Sequence, residues 1–119
     1  FTSVSLNPPL FLFCLGNDNQ HLKSFKLRSP LNASILANSQ KKISNKFASI
    51  VEERWIKTKY SISKNKVPYF KDSLGLIQAT VYKKFIAGDH TIILCKITNY
   101  AKLKNKKPLI YYKSKYKTF

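Results

Sequence analysis

Leu76-Ile-Gln-Ala-Thr-Val-Tyr-Lys-Lys-Phe-Ile-Ala-Gly88-Asp89-His90-Thr-Ile-Ile-Leu-Cys-Lys-Ile-Thr-Asn-Tyr100 sets two alternating runs on either side of a Gly-Asp pair. Glycine at the first central position of a two-residue connection is a tight-hairpin signal. Side chains alternate along a strand, so Ile77, Ala79, Val81 and Phe85 share one face of the first run, broken by Lys83. Thr91, Ile93, Cys95 and Ile97 share a face of the second. Both runs have an apolar side to bury, and the stretch reads as the central hairpin of an antiparallel sheet. His90 follows the turn on the face opposite Thr91, at the rim of whatever the sheet encloses. On the pattern alone it is either a polar turn residue or a group placed to touch a ligand.

Outside the hairpin, 119 residues with 44% hydrophobic and 13% aromatic content suit one folded unit with one core. The charge is lopsided: 22 basic against 5 acidic residues, a formal +17. That balance by itself favours nucleic acid or an anionic membrane surface. Only Arg28 and Arg54 are arginines, however, leaving 22 − 2 = 20 lysines, and specific phosphate and base recognition leans on the bidentate guanidinium. The lysines are spread over the chain, apart from the run between Lys102 and Lys107, so the expectation is a solvated surface with no specific nucleic-acid partner and no membrane partner. The run Leu10 to Leu15 is too short to span a bilayer. Cys14 and Cys95 each sit in an apolar run without metal-ligand spacing, and with no secretory signal framing them a reduced cytoplasmic setting is expected, although a disulfide between them stays open. The five acidic residues, Asp18, Glu52, Glu53, Asp72 and Asp89, offer no acid-base couple, which argues against hydrolysis.

Taken in order, Leu10 to Leu15 reads as a strand buried on both faces, and Asn17 or Asp18 caps a short helix towards Phe25 with Leu22 and Phe25 inward. Leu31 to Leu36 is a further strand. Asn38 and Ser39 are good caps for a main helix over Ser39 to Val51, where Ile43, Phe47, Ile50 and Val51 form one apolar stripe and Gln40, Lys42, Ser44 and Lys46 stay accessible. Ser44 and Lys46 are there either as a polar, solvated face or as an anion site. Glu52 to Trp55 continues or restarts that helix, Lys57 to Lys66 is a loop without periodicity, and Leu109 to Tyr112 is the last strand before a basic tail.

With these landmarks in place, the chain resembles the flavin reductase-like, FMN-binding split-barrel family. The hydroxyl-rich segment from Phe1-Thr-Ser-Val-Ser-Leu-Asn-Pro-Pro to Leu15, the helix around Gln40-Lys-Lys-Ile-Ser-Asn-Lys-Phe-Ala48 with its serine-x-x-phenylalanine signature, the tripeptide Gly88-Asp89-His90 and the closing run Pro108 to Tyr116 fall in the family's order. The resemblance implies a mainly β fold, an antiparallel split β-barrel of Greek-key type with one main helix, over residues 1–119 as a single domain that lacks the family's first strands at its N-terminus.

The function implied is that of an NAD(P)H-dependent flavin reductase that binds FMN, or FAD, uses NADH or NADPH as co-substrate, works as a homodimer and hands reduced flavin to a flavin-dependent monooxygenase. The alternative is a remnant or flavin-binding module without turnover. By the same resemblance the cofactor contacts fall to Thr2, Ser3, Cys14, Leu15, Ser44, Lys46, Phe47 and Tyr112, with His90 beside the flavin and the incoming nicotinamide. No metal is implied. Ser114 stands where many members have glycine. With three glycines in all, Gly16, Gly75 and Gly88, the chain has no dinucleotide-binding fingerprint, so nicotinamide must be held against the flavin.

Overall fold

A computed structural model describes residues 1–49 and 53–118. In chain order the strands are β1 (Thr2–Leu6), β2 (Pro9–Gly16) and β3 (Pro30–Ile35), then helix α1 (Lys41–Ala48), then β4 (Ser61–Ile62), β5 (Pro68–Tyr69), β6 (Gly75–Ala87), β7 (His90–Lys102), β8 (Ile110–Tyr112) and β9 (Lys115–Lys117). Five of them form one sheet in the order β1-β2-β7-β6-β3, while β4 pairs with β5 and β8 with β9. The expected class, antiparallel β with one α-helix, is what the described residues form. The chain divides into two compact units, Phe1–Asn32 with Ile77–Tyr100, and Ala33–Leu76 with the chain after Tyr100.

In the first unit the 76–100 stretch is the hairpin its alternation dictates. Gly88 takes a φ of 63°, and it is the only residue of the turn with a positive φ, the conformation glycine adopts without a Cβ penalty. Ala79, Val81, Ile93 and Cys95 join Phe11 and Leu31 as the buried core, and Phe13, Leu15, Leu22, Phe25, Ile77 and Ile97 pack against it. Burying each large apolar side chain is worth about 1.5–3 kcal/mol, which is why this face sets the register. Phe13 meets Phe25 edge-on at 5.3 Å, so the segment after β2 does turn Leu22 and Phe25 inward, but as a 3-10 turn over Leu22–Ser24. Two expectations need correction. Phe85 is half exposed, because the hairpin outruns the core before it turns. β2 is not buried on both faces: Phe11 is inside, while on the opposite face Leu12 is half-buried and Cys14 is exposed.

Both thiols are free. Burial pushes the Cys95 thiol up to about 11 from an ordinary 9.0 by penalising the thiolate. Because the folded value lies above the unfolded one, the thiol favours folding below pH 9, and that contribution is lost as pH climbs from about 9 to about 11. A thiol reagent at neutral pH is therefore expected to modify Cys14 quickly and Cys95 only on unfolding. Equal rates in the folded chain would contradict the burial described.

The second unit is built around α1. The main helix is shorter than its apolar stripe suggests: a 3-10 turn covers Asn38–Gln40, and the α-helix runs from Lys41 to Ala48. Ile50, Val51 and Glu52 lie outside the described residues. Asn38 and Ser39 do not cap it, and Gln40 is buried rather than accessible. The Ala37 backbone N–H donates to the Gln40 Oε1 at 2.8 Å, so the amide faces inward to satisfy a buried donor. The Asn38 N–H also leaves for the Lys107 carbonyl (2.9 Å), and Leu109 donates to Leu36 (3.0 Å).

Glu53 to Thr58 forms hydrogen-bonded turns rather than more helix. There Trp55 meets Phe47 edge-on at 4.8 Å, stacks near Phe70 at 5.9 Å and touches Tyr60 at 5.0 Å. Residues 57–66, read as an irregular loop, carry β4 and lead into a hairpin with β5 whose turn places Lys66 at φ 65°. The basic tail likewise folds back as β9, paired Ile110 to Lys117, Tyr111 to Tyr116 and Tyr112 to Lys115. The two central residues of that turn, Lys113 and Ser114, have φ of 49° and 60°, the left-handed pair that a two-residue hairpin requires. That conformation explains why glycine suits position 114. No helix among the described residues is long and apolar enough to cross a membrane.

Candidate functional site

Each unit carries part of the residue set that the sequence singles out. In the first, His90 opens β7 opposite Gly16 of β2, and its side chain is 54% exposed. Its Nδ1 lies 2.6 Å from Asp89 Oδ1. The hydrogen bond from His90, and then the charge of the ring, hold the Asp89 carboxyl below the usual carboxylate range. An ionised carboxylate can only accept, so Nδ1 carries the proton of this bond and Nε2 is left for another partner. Thr2 and Ser3 are exposed on the edge strand β1, across from Leu12 and Phe11 of β2. Cys14 is exposed and pairs with Ile92, while Leu15 pairs with Thr91 and leans on the core.

In the second unit α1 places Lys41, Ser44, Asn45 and Ala48 on one face by their spacing of three, four and seven. These residues and Tyr111, Ser114, Lys115 and Tyr116 line an open groove of about 810 Å³. Ser44 Oγ and the Tyr116 hydroxyl share a hydrogen bond of 2.7 Å, and Lys41 Nζ stands 5.6 Å from the centre of the Tyr116 ring. Two ammonium groups, four hydroxyls and an amide, with no acidic side chain in the lining, form a donor set suited to a phosphate.

Lys46 lies elsewhere. Its Nζ donates to the Ile56 carbonyl (2.7 Å) and to Thr58 Oγ1 (2.6 Å), so two of its three protons tie the 53–58 turn to the helix. Phe47 belongs to the aromatic cluster centred on Trp55, edge-on to Trp55 and to Phe70 at 5.4 Å. Tyr112 is exposed in β8, with Lys113 Nζ 5.5 Å from its ring centre.

Sequence reasoning missed Lys41, Asn45 and Lys115. The helical spacing of Lys41, Ser44, Asn45 and Ala48 was the available signal for the first two. Lys115 becomes visible only once the tail is seen to fold back as a strand.

The flavin reductase like domain matches residues 1–119 of this chain. A probable flavin reductase of Rhizobium meliloti (strain 1021) is 34% identical over 98 residues, which is 82% of this chain and 32% of that protein. The chain thus spans about a third of that curated relative. Among solved structures, nitrilotriacetate monooxygenase component B from Mycobacterium thermoresistibile superposes with a TM-score of 0.92 at 25% identity, covering 99% of this chain and 67% of the other. The flavin reductase HpaC complexed with NADP+ gives 0.87 at 29% identity, covering 100% and 76%. From the antiparallel sheet with one helix among the described residues and the match along residues 1–119, the chain belongs to the flavin reductase like domain family and has its split-barrel fold.

Proposed function

We propose that this chain is an NAD(P)H-dependent flavin reductase domain over residues 1–119 that binds FMN, or FAD, and supplies reduced flavin to a partner flavin-dependent monooxygenase. The observation that carries this reading is the family match along residues 1–119. It is supported by one relative described as a monooxygenase component and by another crystallised with NADP+. A homodimer in a reducing cytoplasm fits the resemblance and the two free thiols.

Bound flavin supplies the hydride chemistry, and the protein supplies binding, orientation and exclusion of water. Ser44, with Lys41 and Lys115 in the same groove, is the anchor for the flavin phosphate. Lys46 reaches a phosphate only through its remaining proton, after holding the 53–58 turn. Thr2 and Ser3 offer exposed hydroxyls, Cys14 and Leu15 line the adjoining strand, and Phe47 and Tyr112 offer aromatic edges. His90 positions the nicotinamide.

Ser44→Ala should weaken FMN binding by about tenfold or more, the size of a lost hydrogen bond to a charged group at about 1.5–3 kcal/mol. Fluorescence titration of FMN checks this, and unchanged affinity would remove Ser44 from the phosphate site. The reading as a whole is tested by mixing the protein with FMN or FAD and following oxidation of NADH and NADPH. Turnover with at least one pair is expected. Flavin binding without turnover would leave a binding module in place of the enzyme.

A further inference from the structure

His90 pairs with Gly16 in the ladder of β2 and β7, and beyond that ladder the turn before it is held by one residue at the exit of β2, Asn17. The Asn17 backbone N–H donates to the Asp89 carbonyl at 2.9 Å. Its side-chain Nδ2 donates to the Gly88 carbonyl at 3.0 Å, and its Oδ1 accepts the Thr91 hydroxyl at 2.7 Å. Thr91 is only 4% exposed, so the clamp is anchored in the core. The Asp89 carbonyl belongs to the peptide that joins Asp89 to His90, and Thr91 follows His90 directly. Both sides of the histidine are therefore pinned.

Exposed two-residue connections ordinarily open at little cost. This one does so only by giving up three hydrogen bonds to Asn17. An amide is the side-chain chemistry the clamp needs, because it must donate to one carbonyl while accepting from one hydroxyl. A carboxylate of the same shape keeps the second bond and faces the Gly88 carbonyl with a like partial charge.

We propose that Asn17 is a positioning residue for His90. It locks residues 88–91 so that the Asp89 carboxylate accepts the hydrogen bond from Nδ1–H and His90 presents Nε2 to the dinucleotide co-substrate in one tautomer and one direction. The part of this that concerns the co-substrate rests on the reductase reading above. The part that concerns the ring does not. Pre-setting a group that must meet a reacting partner raises the rate of the chemical step without adding affinity for the flavin.

The test has two readouts on the 119-residue chain. Long-range nitrogen-proton NMR of its two histidines, with His21→Gln for assignment, reports the His90 tautomer at a pH where the ring is neutral. The Nδ1-protonated form is expected in the wild type, and Asn17→Asp, Asn17→Ala and Asp89→Asn should each move the population towards the Nε2-protonated form. In stopped-flow flavin reduction, Asn17→Ala should lower the limiting rate about fivefold with unchanged flavin affinity, and should have no further effect in a His90→Ala background.

An unaltered tautomer in both Asn17 variants overturns the proposal, whatever Asp89→Asn does. So does an Asn17→Ala effect of the same size with and without His90, which would mark Asn17 as structural only. If the wild type shows no reduction at all, the reductase reading falls and the NMR readout alone decides whether Asn17 positions the ring.

Discussion

Ile93→Ala is expected to destabilise the protein by about 2–5 kcal/mol, the range for removing a buried branched side chain and leaving a cavity. Ile93 is wholly buried. It lies on β7, the middle strand of five, in register with Phe13 of β2, so its neighbours are held by ladders on both sides and cannot collapse into the space. Urea unfolding followed by circular dichroism measures the effect. Ile86→Ala serves as the control, because Ile86 is 81% exposed near the end of β6 and should change stability by no more than about 0.5 kcal/mol. Equal effects at the two positions would contradict the register of the central hairpin.

The second large effect is on rate. His90→Ala is expected to slow flavin reduction by NADH or NADPH by about tenfold or more while leaving flavin affinity unchanged, the loss of an orienting contact worth about 1.4 kcal/mol. The reason is geometric. The ring is half exposed, its Nδ1 is taken by Asp89 and its Nε2 is free to meet a co-substrate. Hydride transfer needs the nicotinamide held close and in line, and it does not need a proton from this residue, so loss of the imidazole costs alignment. Stopped-flow bleaching with FMN and with FAD reads the rate, and a flavin titration reads the affinity. An unchanged reduction rate would return His90 to the role of a polar turn residue.

The parts of the fold that were legible in the sequence are those where one period and one turn residue agree. Alternation from Ile77 to Val81 and from Thr91 to Ile97 has a single way to bury its apolar face, and Gly88 has the one conformation the turn needs. The misread parts are those where tertiary partners overrule local pattern. Gln40 looks like a surface residue of a helix, but the buried Ala37 N–H draws its amide inward. The lysine-rich stretch 57–66 has no apolar period, and it is ordered by backbone pairing with Pro68 and Tyr69. The tail after Tyr112 carries few apolar residues and folds back because Lys113 and Ser114 accept a left-handed turn.

The candidate site follows the same division. Ser44 and His90 are legible as candidates through motifs whose spacing shows in the chain. Lys41 shows in the helical spacing it shares with Ser44, whereas Lys115 needed the hairpin of β8 and β9 to be seen, and the second role of Lys46 needed the turn that its ammonium holds. Asn17 reads as a helix cap in sequence because its side chain suits that purpose. In the structure its amide turns instead to a hairpin more than seventy residues away.

The reductase proposed above passes a hydride from a reduced nicotinamide to flavin. Anaerobic stopped-flow mixing of the flavin-loaded protein with NADH or NADPH, protiated or deuterated at the transferring carbon, tests it most directly. Bleaching of the oxidised flavin band that slows severalfold with the deuterated dinucleotide is the predicted result. A flavin band unchanged by either dinucleotide would contradict it.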